Sequence, residues 1–147
     1  MAVATAMAAP VRLTSSVGLI SMLEDEDPLI KAHALSKLNG VVADFWAEIS
    51  EALPDIEALY EDGDFPQRKL AALVASKVYY FLGELGDALT FALGARELFD
   101  VDEGSEYVRA VQFNLSLGSL LRLPAPHLTL PLQRLSARHP LSATAPS

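Results

Sequence analysis

The chain contains no cysteine, which excludes disulfides, thiolate zinc sites and cysteine nucleophiles outright. That composition is compatible with an intracellular setting. Basic residues are few: 11 Lys and Arg stand against 19 Asp and Glu, and the net charge of -8 would be repelled by the phosphates of nucleic acid. A basic partner surface fits better. Long apolar runs are missing as well, since the longest internal stretch without charge, Ala110 to Leu121, falls short of the ~20 residues a membrane-spanning helix needs. Aromatics make up only 7% and strand-favouring β-branched residues are scarce, whereas Ala and Leu are abundant; this favours an all-α fold. Acidic residues are also absent from the last 41 positions, a compositional boundary after Tyr107.

What is present reads as one globular domain. Hydrophobic residues are 51% and charged residues 20% of 147, enough for a real core. Residues 1–14 are Ala-rich and acid-poor with a single Arg12; a disordered leader is the preferred reading over a cleaved organellar transit peptide. A short apolar helix is expected from Ser15 to Leu23, then the acidic run Glu24 to Asp27. Asp27 is placed as N-cap and Pro28 as first residue of the next helix, where its missing N–H costs nothing. Asn39-Gly40 predicts the end of that helix. A third carries Val42, Phe45, Trp46, Ile49 and Leu53 at i, i+3, i+4, i+7 and i+11, with an aromatic stripe expected to face the preceding helix. Pro54 opens a short helix with Ile56, Leu59 and Tyr60, and the loop Glu61 to Asp64 follows, with Asp64 or its successors expected to cap the next helix.

Lys69 to Asp100 carries the strongest pattern. Ala72, Ala75, Ser76, Tyr79 and Gly83 form one stripe and Leu70, Leu73, Val74, Val78 and Phe81 a second, so this helix is buried on two sides. Gly83 and Gly86 permit a tight turn, Asp87 is placed to help cap the following helix, and Ala88, Ala92 and Ala95 give it a small-residue face. The spacing approximates a tetratricopeptide hairpin, with Ala72 where that pattern prefers Trp and Asp100 where it prefers Pro. Short connections force antiparallel neighbours, so the expected architecture is stacked antiparallel helical hairpins, an α-solenoid segment. Residues 109–123 are a possible helical continuation. Prolines at 124, 126, 131, 140 and 146 predict a disordered Pro/Leu/Ser/Arg-rich tail over 124–147. Its unpatterned composition reads as translation of an altered reading frame or retained intron, which alignment of a transcript to the genome would test.

No catalytic, cofactor-binding or metal-ligating residue emerges, and no small-molecule substrate is implied. The run 24–27 and the trio Glu61, Asp62 and Asp64 lack the ligand spacing of a calcium loop and read as solvated capping turns. His33 has no His or carboxylate at i+4, and His127 and His139 fall in the tail. Gly83, Gly86 and Gly94 follow no strand and precede no Gly-Lys-Ser/Thr, so they are turn and packing glycines, not a phosphate loop. Ser76 lies on the small-residue face with no base beside it and reads as packing. Phe45 with Trp46 and Tyr79 with Tyr80 read as core before ligand-stacking surface. Glu48, Glu51 and Glu57 are polar positions that either face partners or are solvated.

The strings HALSKLNGVVADFWAEIS, IEALYEDGDFPQRKLAALVASKVYYFLGELGDALTFALGA and ELFDVDEGSEYV resemble the N-terminal region of the 26S proteasome non-ATPase regulatory subunit 1 family, over roughly Ser15 to Val108. The resemblance runs through loops as well as helices. It implies a non-enzymatic α-solenoid scaffold of the regulatory particle, in cytoplasm and nucleus, whose helix faces contact other regulatory-particle subunits and support ubiquitin-dependent degradation. The matched part, 15–108, is the beginning of the family's helical rod; its ring and receptor-docking segment lie outside the resemblance, and no catalytic or ubiquitin-binding residues transfer. After Val108 the family continues with another amphipathic helix, whereas this chain turns basic and Pro-rich. The outer face of the 69–100 hairpin is therefore expected to be exposed or covered only by residues 105–121, giving a marginal, aggregation-prone protein. The alternative is an independent tetratricopeptide-like adapter, which needs about three stacked repeats and a peptide groove.

Overall fold

The computed structural model describes residues 12–120, and every regular element among them is a helix. The expectations for the first eleven residues and for the tail from 121 onward, its origin included, lie outside the described residues. In chain order the helices are α1 (Val17–Ser21), continued by a 3-10 turn, α2 (Pro28–Glu51), α3 (Leu53–Glu61), α4 (Arg68–Phe81), α5 (Leu85–Ala95) and α6 (Glu106–Leu120). They stack in layers: α2 and α3 pack on one side of α4, α5 packs on the other, and α6 packs on α5. The result is an all-α stack of helical hairpins of solenoid type.

Local chemistry accounts for most boundaries. The Asp27 carboxylate accepts from the Leu29 N–H at 2.8 Å with Pro28 in the first turn, so α2 starts where its cap requires. Pro54 sits in the first turn of α3. α4 ends at Gly83, whose φ of 80° suits a residue without Cβ. There the Glu84 N–H donates to the Tyr79 carbonyl and the Gly83 N–H to the Tyr80 carbonyl, the paired bonds of a Schellman stop. Gly86 lies inside the first turn of α5 and plays no part in the turn, while Asp87 occupies that first turn behind the N-cap Glu84. Its charge there still suits the helix dipole.

Three expectations are corrected. Asn39-Gly40 does not end a helix: α2 runs through it, and the interruption falls at Phe45, with φ -125° and ψ 17°. Glycine within a helix costs only about 1 kcal/mol, and a helix that continues through Gly40 keeps Leu35, Leu38 and Val42 all buried. The aromatic stripe faces not the preceding helix but α4, where Trp46 stacks on Phe81 at 6.4 Å. Asp64 does not cap α4: its N–H is held by the Asp62 carboxylate at 2.9 Å, and the N-cap, Gln67, makes no side-chain bond. The 62–65 loop is instead tied by Arg68, whose Nε donates to the Tyr60 carbonyl at 2.9 Å.

Two cores result. The larger joins Leu23, Leu35, Leu38, Ile49, Ile56, Phe65, Val74 and Val78 between α1–α3 and α4. The smaller joins Ala88, Leu89 and Ala92 of α5 to Tyr107, Val108 and Val111 of α6. Since α4 contributes Ala71, Val74 and Ala75 to the first core and abuts the second through Tyr79 and Tyr80, it is buried on two sides as its stripes require.

Candidate interaction surface

Ser76 joins the layers. It is fully buried, donates from Oγ to the Ala88 carbonyl at 2.6 Å, and lies 2.7 Å from the Tyr107 hydroxyl. Its own proton being committed to Ala88, it accepts from Tyr107, and one side chain of α4 is thereby bonded to both α5 and α6. Burial pushes the Tyr107 phenol up to about 12, the bond to Ser76 acting in the opposite sense and the Glu103 charge adding to the rise. Rings reinforce the seam: Tyr107 meets Tyr80 and Phe99 edge to face at 5.6 and 5.7 Å. Half-buried Lys77 sits 6.0 Å above the Tyr107 ring, and desolvation lowers its pKa.

Between α3 and α5 the small residue is Gly94. A Cβ there would lie 2.5 Å from the Tyr60 Oη, so the glycine makes room for Tyr60, which packs edge to face on Phe91 at 5.6 Å. Phe91 also stacks on Tyr79 at 5.5 Å, and the Tyr79 hydroxyl donates to Glu57. Tyr79, Tyr80, Phe45 and Trp46 thus serve packing between helices.

The polar candidates divide. Glu48, expected at the surface, turns inward: its Oε2 accepts from the Ser16 N–H at 2.6 Å, the Ser16 Oγ at 2.8 Å and the Ser15 Oγ at 3.0 Å, tying the start of α1 to α2. Those donors, the Ser16 N–H first, hold its carboxyl below the usual value despite some opposing desolvation. Glu57 is engaged by Tyr79, and Glu51 is exposed. The acidic run serves as a turn, the Asp25 carboxylate accepting from the Asp27 N–H at 2.8 Å. His33 is exposed on α2, and His127 and His139 lie outside the described residues. Among the described residues no group of three His, Asp or Glu is placed to hold a metal ion, and no helix is long and apolar enough to cross a membrane.

Two concave regions among the described residues bear on this surface. One, of about 290 Å³, is lined by Val17, Ile20 and Ala52 together with the acids Glu24, Glu48, Glu51 and Asp55. The other, of about 240 Å³, runs between α5 and α6 and is almost wholly apolar, lined by Leu89, Leu93, Phe99, Val101, Val111 and Leu115 among others. Beyond it the outward side of α6 exposes Phe113 and Leu117. Sequence periodicity located the small-residue seam through Ala88, Ala92 and Ala95; the roles of Tyr107, Glu57, Glu48 and Tyr60 depend on partners 22 to 34 positions away and left no local signal.

Comparison with known proteins finds relatives over most of the described residues. The family described as the 26S proteasome subunit RPN2, N-terminal domain, matches residues 14–115, from the start of α1 into the third turn of α6. The 26S proteasome non-ATPase regulatory subunit 1 homolog A of Arabidopsis thaliana is 54% identical over 107 residues, 71% of this chain and 11% of that protein. The 26S proteasome non-ATPase regulatory subunit 1 of Drosophila melanogaster is 52% identical over 99 residues, 67% of this chain and 10% of the fly protein. In Saccharomyces cerevisiae the 26S proteasome regulatory subunit RPN2 is 48% identical over 99 residues, with the same coverage. The chain thus spans about a tenth of the length of these curated relatives.

Proposed function

The chain belongs to the family of the 26S proteasome subunit RPN2, N-terminal domain, and from that membership we propose that it acts as a non-enzymatic helical scaffold for the proteasome regulatory particle. The observation that carries this reading is the family match over residues 14–115, a range that reaches from α1 into α6. A layered stack suits such a role: α4 is locked to its neighbours by Ser76, Tyr79 and the aromatic contacts, so the outward faces of the helices are presented as one rigid surface. The partners we infer are other regulatory-particle subunits, engaged through helix faces in cytoplasm and nucleus. The contribution is to assembly and regulation of ubiquitin-dependent degradation, not to a chemical step. The non-ATPase designation in the names of the Arabidopsis and Drosophila relatives supports that assignment.

The test is affinity purification of the tagged full chain from its native cells, with quantitative mass spectrometry of what accompanies it. Regulatory-particle subunits are expected in stoichiometric amounts, with cross-links to outward faces of α2, α5 and α6. Recovery of chaperones alone, or of a coherent unrelated set of proteins, would overturn the scaffold reading.

A further inference from the structure

The groove between α5 and α6 leaves Leu93, Val101 and Leu115 55%, 55% and 44% exposed around one concavity of about 240 Å³. We propose that this groove is a docking site for an amphipathic helix of another protein, one whose apolar ridge repeats at i, i+3 or i+4 and i+7 and whose flank carries Lys or Arg.

The groove is held in shape by bonds within the chain. Arg96, at the end of α5, has φ 53° and ψ -121°, a backbone conformation that favours glycine, and its carbonyl accepts from the Phe99 N–H at 3.0 Å. The Phe99 ring meets Tyr107 edge to face, and Gln112 of α6 donates to the Val101 carbonyl at 2.9 Å. Phe99 and Val101 are therefore fixed before a partner arrives, which lowers the ordering cost of binding.

The lining selects a helix. Its walls are almost wholly apolar, and the Gln112 amide is already engaged with Val101, so an incoming segment finds no row of donors and acceptors for its backbone. A helix satisfies its own N–H and C=O groups where an extended strand does not. The walls belong to two neighbouring helices, and a third laid along them seats its ridge of side chains in the depression between.

Charge selects its sign. Val101 is flanked by Asp100, Asp102 and Glu103, all exposed, while a single cation, Arg96, lines the groove. Three acids against one base leave the loop side of the groove negative, in a chain whose net charge is -8. A helix bearing Lys or Arg opposite residues 100–103 is drawn to that side. A helix bearing acids, or a second copy of this chain with its own -8, is repelled.

The test uses the full chain and three fluorescein-labelled peptides: an amphipathic helix of leucine and lysine, its leucine–glutamate counterpart, and a scrambled leucine–lysine peptide of the same charge. By fluorescence anisotropy the first is expected to bind saturably, one per chain, and the other two at least about tenfold more weakly. Leu93→Ser with Leu115→Ser is expected to weaken the first by about tenfold or more, and Asp102→Asn with Glu103→Gln by about fivefold with a flatter salt dependence. Thermal midpoints near that of the wild type show that both variants fold. Absence of saturable binding, equal binding of the scrambled or the glutamate peptide, or binding that the groove substitutions leave intact would overturn the proposal. So would a wild-type dimer in sedimentation equilibrium that the groove substitutions reduce to monomer, because the occupant would then be a second copy. These outcomes are independent of whether regulatory-particle subunits accompany the chain from cells.

Discussion

Ser76 shows how one side chain sets the order of the layers. In sequence it is one more small residue on the stripe of α4; in the fold it is a buried hydroxyl whose two bonds reach α5 and α6. Replacing it with Ala removes the hydroxyl and leaves the buried Tyr107 hydroxyl without its acceptor, a loss of about 1–3 kcal/mol. Tyr107→Phe removes the donor instead and leaves Ser76 still bonded to Ala88, so it is expected to cost about 1 kcal/mol. Chemical denaturation of both variants, with Ser76→Ala the less stable, checks the assignment; equal or reversed losses contradict it. The phenol also gives alkaline sensitivity a definite sign. Its folded pKa of about 12 lies above the ordinary 10.0, so folding is favoured by its protonated form. That contribution is fully present below pH 10 and is lost as pH rises through 12. Stability measured against pH should fall over this interval in the wild type and fall less in Tyr107→Phe.

At the scale of the element, α1 illustrates what a sequence conceals. A five-residue helix is too short to persist on its own, and this one shows no buried residue within Val17–Ser21. It is held by its ends: Leu23 is buried just beyond it, and Glu48 takes three bonds from Ser15 and Ser16 just before it. Glu48→Gln keeps an acceptor and Glu48→Ala removes it, so amide exchange over residues 16–23 should quicken slightly in the first and strongly in the second, with exchange in α4 unaffected. The lowered pKa of Glu48 fixes the pH dependence: the ionised carboxylate stabilises the docked turn above its ordinary value of 4.5, and that contribution disappears as pH falls below it through the lower folded value. Uniform exchange across all variants and pH values would show that Glu48 does not hold α1. The cap at Asp27, the stop at Gly83 and the seam of alanines were legible because each rests on residues within one or two turns. The continuation through Asn39-Gly40 was not, since it is decided by burial of Leu35, Leu38 and Val42 against α4, a helix more than 25 positions further on. Glu48, Glu57 and Tyr107 were hidden for the same reason, each acquiring its role from a partner that only tertiary packing brings near.

For the whole molecule, the deciding feature is that successive layers bury one another while the last of the described layers, α6, has a second side. Val108 and Val111 are 1% exposed against α5, whereas Phe113 and Leu117, about half a turn away round the same helix, are 68% and 40% exposed. This edge lies across α6 from the groove that Leu115 lines. Exposed apolar side chains on one edge favour association between copies, and they contribute little to the stability of the copy that bears them. Phe113→Ser combined with Leu117→Ser should therefore lower the sedimentation-equilibrium mass toward that of the monomer while the thermal midpoint stays nearly unchanged. A wild-type chain that is already monomeric and unfolds cooperatively at high concentration would refute the expectation of self-association. A double variant that associates as strongly as the wild type would place the adhesive surface elsewhere on the stack, with the acid-rimmed cleft between α1, α2 and α3 then the next surface to substitute.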